Sequence, residues 1–230
     1  ERPVSNQERG EPRKFGMLLQ DIVGVEAIIN RVVVHMPMKK QMEWIQETHS
    51  KYEIDNLIRV GGESSKQKYP GPTVNQSLEK ISEDNRLGKS SILCGGICIP
   101  SRKKESKNLI KKSQFGSEFF TTQVLCDSGN VIKMIKNYQK RCDKVGTFPR
   151  RILLSFAPVS SQKNIDFLKW LGVEIPKDTE RYLNGRPGSM TERSLDVAIE
   201  VLNEILAFIS SQNLKVPVGL NVEHLSLIHI

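Results

Sequence analysis

The chain has 230 residues, enough for one α/β barrel or one to two smaller domains, and its 38% hydrophobic and 26% charged residues supply a core and exclude global disorder. The formal charge of +8 invites a polyanionic ligand, but the basic residues are spread through helix-like segments, and the run Arg102-Lys103-Lys104 with Lys107, Lys111 and Lys112 reads first as a solvated helix face. The four cysteines (Cys94, Cys98, Cys126 and Cys142) have neither C-x-x-C spacing nor a nearby histidine, which removes a zinc pattern and suits reduced core thiols in a cytoplasmic setting; no apolar stretch is long enough to span a membrane.

Residues 1 to about 14 are polar and read as a loose tail, and 1–23 as a remnant outside the main domain. Ala27 to Val34 is β-branched and apolar, hence a strand. Met38 to Tyr52 carries helical spacing through Met38, Met42, Ile45 and His49. Asn56 to Gly62 is a strand running into glycines, and Thr73 is placed to cap a helix from Val74 to Ile81. The alternation continues with a strand at Ser91 to Pro100, a basic amphipathic helix at Lys103 to Ser113, and a strand at Glu118 to Leu125. A helix capped by Asp127 or Ser128 runs to about Cys142, and Arg151 to Phe156 is a strand. A helix opens at Ser160 or Ser161, a second covers Lys177 to Leu183, and Leu195 to Ser210 is the longest, with one wide apolar face. Val216 to Val222 is the last strand.

Six strands alternating with helices imply parallel pairing, and near-continuous apolar runs imply strands covered on both faces. An open doubly wound sheet and a (β/α) barrel both fit. Neither phosphate-loop signature is present, which lowers the dinucleotide-sheet and P-loop readings. In both arrangements the site lies at the carboxyl ends of the strands. That rule selects Arg59, Gly61, Gly62 and Glu63; Pro100, Ser101 and Arg102; Thr122, Gln123 and Asp127; Phe156 and Ser160; and Asn221, Glu223 and His224. Gln123 interrupts an apolar strand, where its amide needs partners. Glu105 and Lys112 share a helix face two turns apart and read by default as solvated charges. His35 and His49 read as structural. The set suits binding a planar heterocycle and a charged cofactor better than hydrolysis.

In their order, these segments resemble the methylenetetrahydrofolate reductases. Gly24 to Gly62 resembles the family's third and fourth strand units, Phe119 to Asp127 (FFTTQVLCD) the strand whose Gln contacts the pterin, and Leu153 to Val159 the strand after it. Phe167 to Gly185 resembles the downstream helices. Ile99 to Arg102, Thr122-Gln123, Cys126-Asp127 and Arg151 to Phe156 are most similar to the mycobacterial-type branch, which works with reduced nicotinamide and without bound flavin. The resemblance implies a (β/α)8 TIM barrel with about six of eight units over residues 24–224. It implies reduction of 5,10-methylenetetrahydrofolate to 5-methyltetrahydrofolate with NAD(P)H, in one-carbon and methionine metabolism. Gln123 and Phe156 would then touch the folate, and Arg59, Gly61, Gly62, Glu105 and Lys112 the cofactor.

Departures from the family bear on that assignment. Gly62, or Glu63 after a one-residue shift, stands where the family has an Asp contact to flavin. Gln162 replaces an aromatic folate contact, and Gly95 to Pro100 lacks an aromatic flavin contact, which weakens FAD stacking. The family's first-strand acid has no counterpart, so Glu223 is the speculative acid. Residues 225–230 (LSLIHI) leave the pattern, and the chain is expected to be partial at both ends. A folate-binding paralogue without turnover is the alternative; nucleic-acid binding through the Lys/Arg run would require strongly salt-dependent affinity.

Overall fold

The computed structural model describes residues 11–62, 67–185 and 188–225. Among the described residues it holds eight helices and six strands, and the strands form one sheet in the order of the sequence. Neighbours in sequence that are also neighbours in the sheet, joined by helical crossovers, have to run parallel. The result is an incomplete parallel sheet flanked by helices, a partial (β/α)8 arrangement. Two compact units divide the chain, Glu1–Gly95 and Gly96–Ile230.

The first unit holds α1 (Pro12–Val23), β1 (Ile28–Val32), α2 (Met38–Tyr52), β2 (Asn56–Val60) and α3 (Val74–Arg86). The expected loose tail is corrected here: the chain is helical from Pro12. Proline suits the first helical turn, the Glu11 side chain accepts the Arg13 N–H, and Gly24 closes the helix at φ 70°. Phe15, Leu18, Leu19 and Ile22 carry the helical spacing that the polar flanks obscured. Gly16 lets α1 lie close on the sheet, because a Cβ there would come within 2.9 Å of Ile54 and 3.2 Å of Ile29. The buried Arg13 ties α1 to α2. It bonds Glu11 at 2.9 Å and Glu47 at 3.0 Å, and stacks 4.7 Å from Trp44 and 4.6 Å from Tyr52. Thr73 and Gln76 form a capping box on α3, which runs to Arg86, five residues past its expected end.

The strand β3 (Leu93–Cys98) spans the division between the units. The second unit continues with α4 (Glu105–Gln114), β4 (Phe119–Val124), α5 (Gly129–Val145), β5 (Arg151–Phe156), α6 (Gln162–Trp170), α7 (Lys177–Asn184), α8 (Met190–Ser211) and β6 (Val218–Val222). Side chains alternate across a strand. One face of β4 and β5 sends Phe120, Ile152, Leu154 and Phe156 into a core with Ile135, Tyr138, Val201 and Ile205. Each such buried side chain contributes roughly 1.5–3 kcal/mol. A second cluster joins Val124, Ile165, Leu168 and Leu183. α8 starts five residues before the expected Leu195, because the Ser189 side chain accepts the Glu192 N–H and caps it there.

Strands hidden on both faces were expected, and β1 and β6 depart from that. Ile28, Val32, Leu220 and Val222 are exposed, and so is the α1 row Phe15, Leu18, Leu19 and Ile22. Glu63 and residues 226–230 lie outside the described residues. No described helix is long and apolar enough to cross a membrane.

An exposed apolar row of this kind promotes association. Replacing Leu18 and Ile22 by Glu is expected to lower self-association in sedimentation velocity while leaving the urea midpoint within about 0.5 kcal/mol per site of the parent.

Candidate functional site

In the first unit, Arg59 sits on β2 opposite Arg31 of β1. It is wholly buried, and its guanidinium points into the helix layer. Nε and Nη2 donate to Ser77 Oγ at 3.0 and 2.8 Å, and Nη2 to Gln41 Oε1 at 3.4 Å. Nη1 has no partner among the described residues. Burial pulls its pKa down to about 10, with a smaller push in the same direction from Arg31. Gly61 has room for a side chain, whereas a Cβ on Gly62 would lie 2.4 Å from the Tyr69 ring. His35 meets that ring edge-on at 5.6 Å, and His49 Nδ1 bonds Asp55.

In the second unit, Glu105 and Lys112 are brought together, but not as solvated charges. The Glu105 side chain has no exposed surface. It accepts the Ile99 N–H and the Asn108 amide, both at 3.0 Å, with Lys112 Nζ at 3.7 Å. Lys112 also donates to the Ile97 carbonyl, and burial lowers its pKa against the pull of Glu105. Each group is therefore engaged with β3 or with the other. Neither presents a free charge to a flavin ribityl chain or phosphate, so these residues do not fit that cofactor as they stand.

At the rim of β4 the register against β5 slips between Thr121 and Val124. An extra residue in one strand bends it and re-aims the local side chains. Gln123 lies in the slip; its Nε2 donates to the Leu171 carbonyl at 3.2 Å. It lines a small cavity with Pro100, Ser101, Asp127 and Glu174. Arg102 stands 4.0 Å from Glu105. Ser160 bonds Asn164 at the start of α6. Phe156 is packed in the apolar core rather than on an open face.

The opposite face of β4–β6 carries a hydrogen-bonded row. Thr121 Oγ1 lies 3.1 Å from Ser155 Oγ, and Asn221 Nδ2 donates to Ser155 Oγ at 3.0 Å and to Glu223 Oε1 at 3.1 Å. Thr122 contacts Ser155 twice, through its hydroxyl and its carbonyl. Glu223 follows β6, with its N–H on the Phe156 carbonyl at 2.7 Å. Burial raises its carboxyl pKa, partly offset by the neighbouring polar Ser155 side chain. His224 beside it is exposed. Thr121 and Ser155 were missed from sequence. The signal was present: Ser155 is a polar residue in the apolar run RILLSF and needs partners just as Gln123 does.

A cavity of about 320 Å³ lies elsewhere, between the end of β4 and α7–α8, and is lined by Asp127, Asp178, Tyr182, Glu200 and Glu204 among others. Its carboxylates disfavour an anionic ligand. Among the described residues no group of three or more His, Cys, Asp or Glu is placed to hold a metal ion.

No known protein-family profile and no curated protein sequence matches the chain. Among solved structures it is similar to an uncharacterized protein from Clostridium thermocellum that binds two copies of 5-methyl-5,6,7,8-tetrahydrofolic acid. The TM-score is 0.78 and the identity 20%, over 96% of this chain and 73% of that one. The carboxyl transferase domain of Rhizobium etli pyruvate carboxylase matches at a TM-score of 0.44 and 12% identity, over 90% of this chain and 39% of that one. A 2,3-dimethylmalate lyase matches at 0.43 and 11%, over 88% and 67%. The first likeness establishes the barrel-type fold; the other two are too loose to argue from.

Removing one partner of a buried pair strands the other charge. Glu105→Gln is expected to lose about 3–5 kcal/mol of unfolding free energy in urea, and the double variant Glu105→Gln/Lys112→Met to recover a large part of it. Such a loss in ligand-free protein identifies the pair as structural.

Proposed function

We propose that this chain forms a folate-binding face of a methylenetetrahydrofolate reductase-like oxidoreductase. The observation that carries the reading is the polar row Thr121, Ser155, Asn221 and a protonation-prone Glu223 at the carboxyl ends of β4–β6, with Gln123 apart from it at the rim of β4 on the same parallel sheet. A pterin ring presents adjacent donors and acceptors, which one carboxamide such as Gln123 can match. The ordered resemblance of Phe119 to Asp127 and Leu153 to Val159 supports the same ligand, as does the folate binding of the Clostridium thermocellum protein of similar fold.

In this reading Glu223 gives a proton to the nitrogen leaving the methylene bridge. The carbon–nitrogen bond breaks and the methylene carbon remains as an iminium on the other nitrogen; a reduced nicotinamide, when bound, would supply the hydride that makes it a methyl group. FAD is left out, because Glu105 and Lys112 are consumed inside the fold.

That same observation favours a second reading, folate binding without turnover. The two separate cleanly. Titrating 5-methyltetrahydrofolate into the chain while following intrinsic fluorescence is expected to show saturable binding that Gln123→Ala weakens about tenfold, the size of one hydrogen bond at about 1.4 kcal/mol. Loss of nicotinamide absorbance on adding 5,10-methylenetetrahydrofolate supports the reductase; binding without that loss supports the second reading. Absence of folate binding overturns both.

The raised Glu223 pKa fixes a pH dependence. Between the ordinary carboxylate value and the raised one, the folded chain holds more protons than the unfolded chain, so stability falls as pH rises through that window. Glu223→Gln removes this loss. The variant is expected to gain stability relative to the parent in urea melts as pH rises from the ordinary carboxylate value through the raised one.

A further inference from the structure

Ser155 is wholly buried and uses every polar atom it has. Its N–H donates to Thr122 Oγ1 and its hydroxyl to the Thr122 carbonyl, both at 2.9 Å. A serine oxygen has one proton and two lone pairs. With the proton given to Thr122, both lone pairs must accept, so the Thr121 hydroxyl is the donor across their 3.1 Å contact, and the Asn221 amide is the other.

This settles which way the Asn221 amide faces. Turned over, its carbonyl would meet an oxygen with no proton left to give, and would also face a carboxyl. Held as it is, Nδ2 spends one proton on Ser155 and the other on Glu223 Oε1. The groups around Glu223 are otherwise uncharged: Ser155 and the Phe156 carbonyl on β5, and Thr121 and Thr122 on β4 behind them. His224, exposed beside it, is the adjoining titratable residue, and no charged side chain contributes to the shift of the carboxyl.

We propose that Ser155 and Asn221 are positioning residues: Ser155 holds the Asn221 amide, the amide binds Glu223 Oε1, and Oε2 is thereby made the proton-bearing oxygen, offered to a weakly basic ring nitrogen of the ligand. The inference rests on the reading of Glu223 as the acid of the site. When the proton leaves Oε2, an N–H bond forms on the ligand, and the Asn221 N–H strengthens against the carboxylate left behind. Ligands with a basic ring nitrogen therefore bind more tightly as pH falls through the Glu223 titration.

The test is a carbon-13 NMR titration of the Glu223 carboxyl in the whole chain, alongside 5-methyltetrahydrofolate affinity measured across the same pH range. An N–H donor favours the charged carboxylate, so Asn221→Leu is expected to raise the Glu223 midpoint by about one pH unit. It is also expected to move the pH dependence of affinity in step, while His224→Gln moves neither. An unmoved midpoint overturns the inference, and so does folate binding whose pH dependence is the same in parent and Asn221→Leu, although the folate reading then survives. A moved midpoint with no folate binding at any pH leaves the positioning network standing and removes the folate reading instead. If Asn221→Leu does not fold, Ser155→Ala removes the anchor of the amide while leaving the Glu223 side chain in place, and it also removes the direct lowering influence of Ser155 on the carboxyl. A smaller shift in the same direction supports the network, and no shift overturns it.

Discussion

A parallel strand lined by helices must give one face to apolar packing, and β5 shows what that constraint leaves over. Ile152, Leu154 and Phe156 take the helix-facing positions and complete the core with Tyr138 and Ile205. The alternate position, Ser155, falls on the other face and is also fully buried. A buried hydroxyl without partners costs on the order of 1–3 kcal/mol. The parallel registers place Thr121 and Thr122 on one side of it and Asn221 on the other, so the debt is met by neighbouring strands. The polar row that ends in Glu223 thus follows from packing: the same alternation that builds the core aligns the acid.

Buried charge is handled in three ways across the two units. Arg13 takes carboxylates from Glu11 and Glu47 and lies against two aromatic rings. Glu105 and Lys112 satisfy each other and the backbone of β3. Among the described residues Arg59 bonds Ser77 and Gln41, both neutral, and keeps one nitrogen without a partner, so no carboxylate offsets the lowering of its pKa by burial. A basic composition therefore says little about anion binding here, since several of its cations are spent inside the fold.

For the proposed function, this separates the residues of the second unit into two groups. Gln123 lies in the slip of β4 at its rim, and Glu223 is held by Asn221, so both stay at strand ends. Glu105 and Lys112 are taken up by the structure instead.

The sequence by itself determined the alternation of strands and helices, and with it parallel pairing, because side-chain period and crossover length are local properties. β5 and α2 fall where the pattern puts them. It also placed Gln123 and Glu223 at strand ends, since strand ends can be counted along the chain. Local pattern missed α1, whose apolar row sits between polar flanks and finds only one packed face. It could not tell that Phe156 faces the core, or that Glu105 and Lys112 are buried rather than solvated. Those outcomes depend on which face of an element meets a neighbour, and only the tertiary structure decides that. Asn221 shows the same limit most clearly: its role comes from one hydrogen bond to a serine 66 residues earlier in the chain, which no local spacing encodes.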